Sequence, residues 1–123
     1  EVLGVDPAGV GSQMRRLTGD DAMICLSVSP YAAGTVSLAE SGRARGTSII
    51  AITDAPDAPL AALADETLVA ATANQHFFAS QLGALYLLEV ILGLMVAKSG
   101  DSVQSNLRTS ELFSAMHGEY LER

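Results

Sequence analysis

Three short apolar runs, none of them alternating, constrain this chain more than any other feature. Ala22-Met-Ile-Cys-Leu-Ser-Val28 follows Gly19-Asp20-Asp21, Ser48-Ile-Ile-Ala-Ile-Thr53 follows Arg45-Gly46, and Glu66-Thr-Leu-Val-Ala70 follows Ala64-Asp65. A strand with one wet face alternates apolar and polar side chains. A run that does not alternate is expected to be buried on both faces, as the strands of a parallel sheet are. Val2-Leu-Gly-Val5 is a weaker fourth run.

Helical patterns separate the runs. Over residues 30–45, Ala32, Val36 and Ala39 recur at helical spacing, with Ser29 placed as an N-cap, Pro30 at the first helical position and Gly46 past the last turn. Arg43 and Arg45 fall at the negative end of that helix dipole. A short helical turn is expected over residues 59–63. Strand, helix, strand, helix, strand in this order predicts βαβ units, hence a three-layer α/β sandwich around a parallel sheet.

Two further helices follow. The pattern over residues 75–98 is apolar nearly all round and stops at Ser99-Gly100. A helix without a polar stripe is either the central helix of a core or a subunit contact. Residues 106–121 form an amphipathic pattern, with Leu107, Leu112, Phe113, Met116 and Tyr120 on or near one face. The domain reading is therefore a core over residues 1–100, with residues 101–123 a C-terminal helix packing on it or on a partner.

Composition narrows the function. The 123 residues carry 7 Lys+Arg against 14 Asp+Glu, a formal charge of −7, and the basic residues form no run. Duplex binding requires clustered positive charge, so nucleic acid is not an expected partner of this stretch. Cys25, the only cysteine, sits in an apolar run and reads as a buried structural thiol. The apolar segment from Leu82 to Ala97 is shorter than the ~20 residues a bilayer requires and carries Glu89 in its middle, so a buried helix rather than a membrane span is expected. With no signal peptide visible, a cytoplasmic location is expected. The chain opens on Glu1 rather than Met, as a piece of a longer protein would.

One block has a family likeness. Leu17-Thr-Gly-Asp20, Met23-Ile-Cys-Leu-Ser-Val-Ser29, Arg45-Gly46, Ile49-Ile-Ala-Ile-Thr53 and Ala58-Pro-Leu-Ala61 followed by Leu63-Ala-Asp65 resemble SIS (sugar isomerase) domains, above all the effector domain of RpiR-type transcriptional regulators. The resemblance covers residues 1–98 and implies a flavodoxin-like parallel sheet. Its register places residues 1–5 on the family's second strand. The first strand and helix, the Gly-rich phosphate loop and the DNA-binding helix-turn-helix would then lie outside this chain, leaving a fold truncated at its N-terminus. The alternative register makes Gly9-Val-Gly-Ser12 that Gly-rich loop.

The resemblance implies a ligand edge. In parallel α/β sheets ligands bind at the carboxyl ends of the strands, against helix N-termini. Ser27, Ser29, Thr53, Asn74, His76 and Ser80 would lie near that edge, and Ser27, Ser29, Thr53, His76 and Ser80 are the candidate ligand-binding residues. In SIS domains a Ser-x-Ser-Gly-x-Thr loop grips the phosphate of a phosphosugar. Here the loop reads Ser27-Val-Ser-Pro30-Tyr-Ala-Ala33, with Pro30 in place of the glycine and Ala32 in place of the threonine. Proline has no N–H to donate and alanine no hydroxyl. Each hydrogen bond lost to a charged group is worth about 1.5–3 kcal/mol, so the phosphate grip is weakened. The plainer reading makes Ser29 an N-cap and Pro30 a helix starter.

Catalytic readings are thin. Aldose–ketose isomerisation needs a positioned base. His76 also reads as a residue near a helix start. Glu89, some thirteen residues further along the same helix and about 20 Å away, reads as a buried carboxylate with a structural or interface partner. His117 falls on the C-terminal helix. No metal-ligand spacing, nucleophile elbow or cofactor loop is present. What the resemblance implies is the effector-binding and dimerising domain of an RpiR-type regulator, its partners a phosphosugar effector and a second copy of itself. The alternatives are a phosphosugar isomerase and a degenerate module serving only oligomerisation.

Overall fold

The computed structural model describes residues 7–74 and 79–100. Residues 2–5, His76, His117 and the helix expected over 106–121 lie outside them. The chain divides into two compact units, Glu1–Leu87 and Leu88–Arg123.

In the first unit, α1 (Pro7–Arg16) precedes β1 (Ala22–Leu26), α2 (Ala33–Ala44), β2 (Ser48–Thr53) and β3 (Glu66–Val69), and α3 (Leu82–Ser99) begins there. The three strands form one parallel sheet in the order β1-β2-β3. Met23 pairs with Ile49 and Cys25 with Ala51, so these four share a face. All four are buried, in one cluster with Met14 of α1, Ala39 of α2 and Leu60 of the β2–β3 connection. The α/β reading holds, and so do the positions of all three strands.

The two faces are unequally covered. Ile52 is fully buried on the second face, whereas Ile24, Leu26 and Ile50 are half-buried and Leu68 of β3 is exposed. Burial on both faces, read from the absence of alternation, is thus complete only for the inner face of β1 and β2; Val69 of β3, on that same face beside Thr53, is half exposed. The burial of Cys25 also pushes its thiol up from the ordinary value, as suits an inert core sulfhydryl.

α1 is an element the sequence reading missed. Gly9 and Gly11 disfavour a helix. Even so, Val10, Met14 and Leu17 fall at helical spacing and pack on the core, and Arg15 and Arg16 end the helix. Gly9-Val-Gly-Ser12 therefore lies inside a helix and is not a phosphate loop. Residues 59–63 form successive turns, Ala61 N–H to Ala58 and Leu63 N–H to Leu60, rather than a helix.

α2 ends as its sequence indicates. Gly46, at φ +80°, closes the helix with its N–H on the Arg43 carbonyl, while Thr47 N–H bonds the Gly42 carbonyl. Gly42 itself lies against Met23, where a Cβ would collide with the sulfur. The start of α2 differs from expectation: the helix begins at Ala33, its N-cap is Ala32 with no side-chain cap, and the Ser29–Pro30 peptide is cis.

The family-like turns at the amino ends of the strands are architectural. Thr18 N–H and hydroxyl both donate to the Asp21 carboxylate, and Thr47 donates from its hydroxyl to the Thr18 carbonyl. Asp65 accepts the Ile49 N–H at 2.8 Å and returns its own N–H to the Ile49 carbonyl at 2.9 Å. Arg43 donates to the Leu63 carbonyl and stands 3.9 Å from Asp65.

α3 overturns the buried-helix reading. Of its first turns only Ala84 is buried; Leu82 is 76%, Leu85 49% and Tyr86 66% exposed. Glu89 is exposed too, so it is not a buried carboxylate in need of a partner. The helix starts at Leu82 rather than near residue 75, residues 79–81 being non-helical. In the second unit, Leu92, Leu94 and Met95 are exposed, Ser99 bonds back to the Met95 carbonyl, and Gly100 at φ +62° follows. With 18 residues and a mean hydropathy of 1.7, α3 is long and apolar enough to be weighed as a membrane span. At 1.5 Å per residue it reaches about 27 Å, short of a ~30 Å hydrocarbon core.

Candidate functional site

The carboxyl ends of β1 and β2 meet the loop that leads into α2. Ser27 N–H donates to the Ile52 carbonyl, carrying the ladder one residue past β1 and fixing where the loop begins. The Ser27 side chain is buried, and its hydroxyl oxygen accepts the Ala32 N–H at 3.3 Å. Ser27, not Ser29, therefore ties the loop to the entry of α2.

Ser29 has another partner. Its N–H donates to Asp54 Oδ2 at 3.1 Å, and Tyr31 donates from its hydroxyl to Asp54 Oδ1 at 2.8 Å. Thr53, fully buried, adds a long hydroxyl contact to Oδ1 at 3.4 Å. Asp54 is the first residue past β2, just as Ser27 is the first past β1. Sequence reasoning passed over both Asp54 and Tyr31. The available signal was position: a charged residue directly after the Ile-Thr strand end, and a phenol inside the loop.

The titration behaviour follows from this geometry. Desolvation pushes the Asp54 carboxyl up, but the hydrogen bonds from Ser29 N–H and the Tyr31 hydroxyl outweigh it and hold the group below the usual aspartate value. The Tyr31 phenol is raised, first by its hydrogen bond to Asp54, then by desolvation and by the charges of Asp54 and Asp57. Each group prefers the state in which the phenol keeps its proton and the carboxylate its charge.

A small hollow of about 160 Å³ is lined by Leu26, Ser27, Val28, Pro30, Ala32 and Gln81. Drug-sized ligands occupy clefts of about 300–1,000 Å³, so this hollow accommodates only part of such a molecule. Of the candidate residues, the structure brings Ser27, Ser29 and Thr53 to one edge. Ser80 follows β3, with its N–H on the Thr72 carbonyl and its hydroxyl oxygen accepting the Leu82 N–H. Among the described residues no cluster of three His, Cys, Asp or Glu side chains is placed to hold a metal ion.

A profile of the SIS domain matches residues 3–95. Among solved structures, the sugar isomerase domain of an RpiR transcription factor from Sphaerobacter thermophilus is similar at a TM-score of 0.74 and 27% identity, over 89% of this chain and 62% of that one. This chain thus spans less than two thirds of that relative's length. A hypothetical protein shares the fold at a TM-score of 0.57 and 19% identity, over 78% of this chain and 53% of its own. No curated protein matches.

Proposed function

The chain belongs to the SIS domain family, and on that premise we propose that it is the effector-binding and dimerising domain of an RpiR-type transcriptional regulator. Residues 1–100 would form the sensing core and residues 101–123 its C-terminal helix. The effector is a sugar taken up at the carboxyl edge of the sheet in the cytoplasm, with a phosphosugar the form that the family likeness implies. The observation that carries the reading is the loop of residues 27–32, held between β1 and α2 beside Asp54 and Thr53. In that frame Ser27, Ser29, Thr53, His76 and Ser80 are the candidate ligand residues. DNA contacts belong to a part of the protein other than this domain, whose charge of −7 opposes them.

The second copy is proposed to dock on α3, where Leu82, Leu85 and Tyr86 share a face at i, i+3, i+4 spacing and lie exposed. A thermal-shift series with sugars and their phosphates tests the sensor reading. A ligand bound only by the folded state raises the melting temperature, and no rise with any sugar refutes it. In that event the module serves assembly alone, a reading that the internally bonded loop also supports.

A further inference from the structure

We propose that Asp54 is a resident anion occupying the position where a phosphate would be held, so that this domain excludes phosphate esters and takes an uncharged sugar. The inference rests on the sugar-sensing reading for its ligand, but the role of Asp54 stands on geometry alone.

The donors come first. An anion in the loop of residues 27–32 would need backbone N–H groups and hydroxyls aimed at it. Ser27 N–H is spent on Ile52 and Ala32 N–H on the Ser27 hydroxyl oxygen, and Pro30 has no N–H, which leaves Val28 N–H, Tyr31 N–H and the Ser29 hydroxyl besides the two groups that meet Asp54. The Ser29 N–H and the Tyr31 hydroxyl do converge on one point, and the Asp54 carboxylate already sits there. A phosphate would have to displace a carboxylate tethered to the adjoining strand end.

Charge leads to the same result. Within Glu1–Leu87 the cations of the described residues are Arg15, Arg16, Arg43 and Arg45, at the last turns of α1 and α2. Both turns lead into the amino ends of strands. α2 alone, 12 residues long, sets about 18 Å between that edge and the loop. The charges acting at the loop are instead Asp54 and Asp57, both felt by the Tyr31 phenol. A phosphate ester would meet like charge there, and none of the described cations of Glu1–Leu87 stands at that edge to offset it.

What the edge offers suits hydroxyls. An Asp54 carboxylate has acceptor capacity beyond its bonds to Ser29 and Tyr31, and the Gln81 amide, which both donates and accepts, lines the adjoining hollow.

The test is a ¹⁵N NMR titration of the intact chain and its Asp54→Ala and Asp54→Asn variants, read at the Ser29 amide. The Asn variant keeps the size of the side chain, so the test survives if Ala unfolds the loop. Inorganic phosphate is expected to leave the Ser29 amide in place in the native chain and to shift it saturably in at least one variant. Fructose is expected to bind the native chain at least about tenfold more tightly than fructose 6-phosphate, a difference of ~1.4 kcal/mol. Saturable phosphate binding by the native chain, or a preference for the phosphosugar, overturns the proposal and leaves sugar sensing intact. If the variants gain phosphate but no sugar binds the native chain, sugar sensing and the uncharged ligand fall together, and the exclusion of phosphate by Asp54 stands.

Discussion

The hydroxyl of Tyr31 donates to Asp54 Oδ1 at 2.8 Å, a contact between residues 23 positions apart that closes the β1–α2 loop onto the end of β2. It reverses the usual logic of a phosphate loop, since a hydroxyl and a backbone N–H that could cradle an exogenous anion are satisfied from within the fold.

The pair sets a pH window. The Asp54 value is lowered on folding, so its contribution to stability is present above the unfolded aspartate value, near 3.8, and fades as pH falls through the folded value. The Tyr31 value is raised, so its contribution is complete below the unfolded tyrosine value, near 10, and is lost as pH rises through the folded one. Asp54→Asn is expected to flatten the acid limb of the stability profile and to bring the phenol back towards its ordinary value. Denaturant unfolding across pH and absorbance titration of tyrosinate check the two limbs. An unmoved Tyr31 titration in the variant would show that the hydrogen bond is absent in solution.

Asp65 and Arg43 form an ion pair in which one partner matters more. At 3.9 Å and with both side chains about half exposed, the pair itself is worth at most about 1 kcal/mol. Asp65 also accepts the N–H of fully buried Ile49, and Asp65→Ala orphans that donor at a cost of about 1–3 kcal/mol. Asp65→Asn keeps an acceptor and recovers most of the loss. Urea unfolding of the three variants, with Arg43→Ala as the mild one, separates hydrogen bond from charge. Equal losses for Arg43→Ala and Asp65→Ala would contradict the assignment.

What could be read from the residues, and what could not, divides by the range of the interactions. All six residues of β2, Ser48–Thr53, were legible because an Ile-rich run between a helix-ending glycine and a turn has few alternatives. The start of α2 was misplaced because Ser29-Pro30 has the local chemistry of a cap and first helical residue. The Ser29 N–H is instead drawn to Asp54, 25 positions away, which no local pattern announces. α1 was missed since two glycines mask the spacing of Val10, Met14 and Leu17. The helix of α3 is legible but its exposure is not: apolar residues all round fit the centre of a core and a subunit contact equally well.

Exposed leucines on α3 make the assembly testable. Leu82 and Leu85, three residues apart in the first unit, lie on one face of the helix and are both exposed. If that face joins two copies, Leu82→Glu with Leu85→Glu replaces interface apolar area by buried charge and converts dimer to monomer. Light scattering over a concentration series reads the change. A native chain already monomeric at micromolar concentration would refute the dimer.

Ser27 discriminates a binding group from a structural one. Its side chain is buried and its hydroxyl oxygen accepts the Ala32 N–H at the entry of α2, a helix whose N-cap residue supplies no side-chain cap of its own. Ser27→Ala is therefore expected to lower stability by about 1 kcal/mol, the usual effect of losing such a bond at a helix start. Ser29 is exposed and bonds Asp54 through its backbone, which Ser29→Ala preserves, so that variant should unfold at close to the native denaturant midpoint. If Ser29→Ala proves the more destabilising of the two, the Ser29 hydroxyl caps α2 after all, and the loop in solution follows the local pattern of its sequence rather than the contact with Asp54.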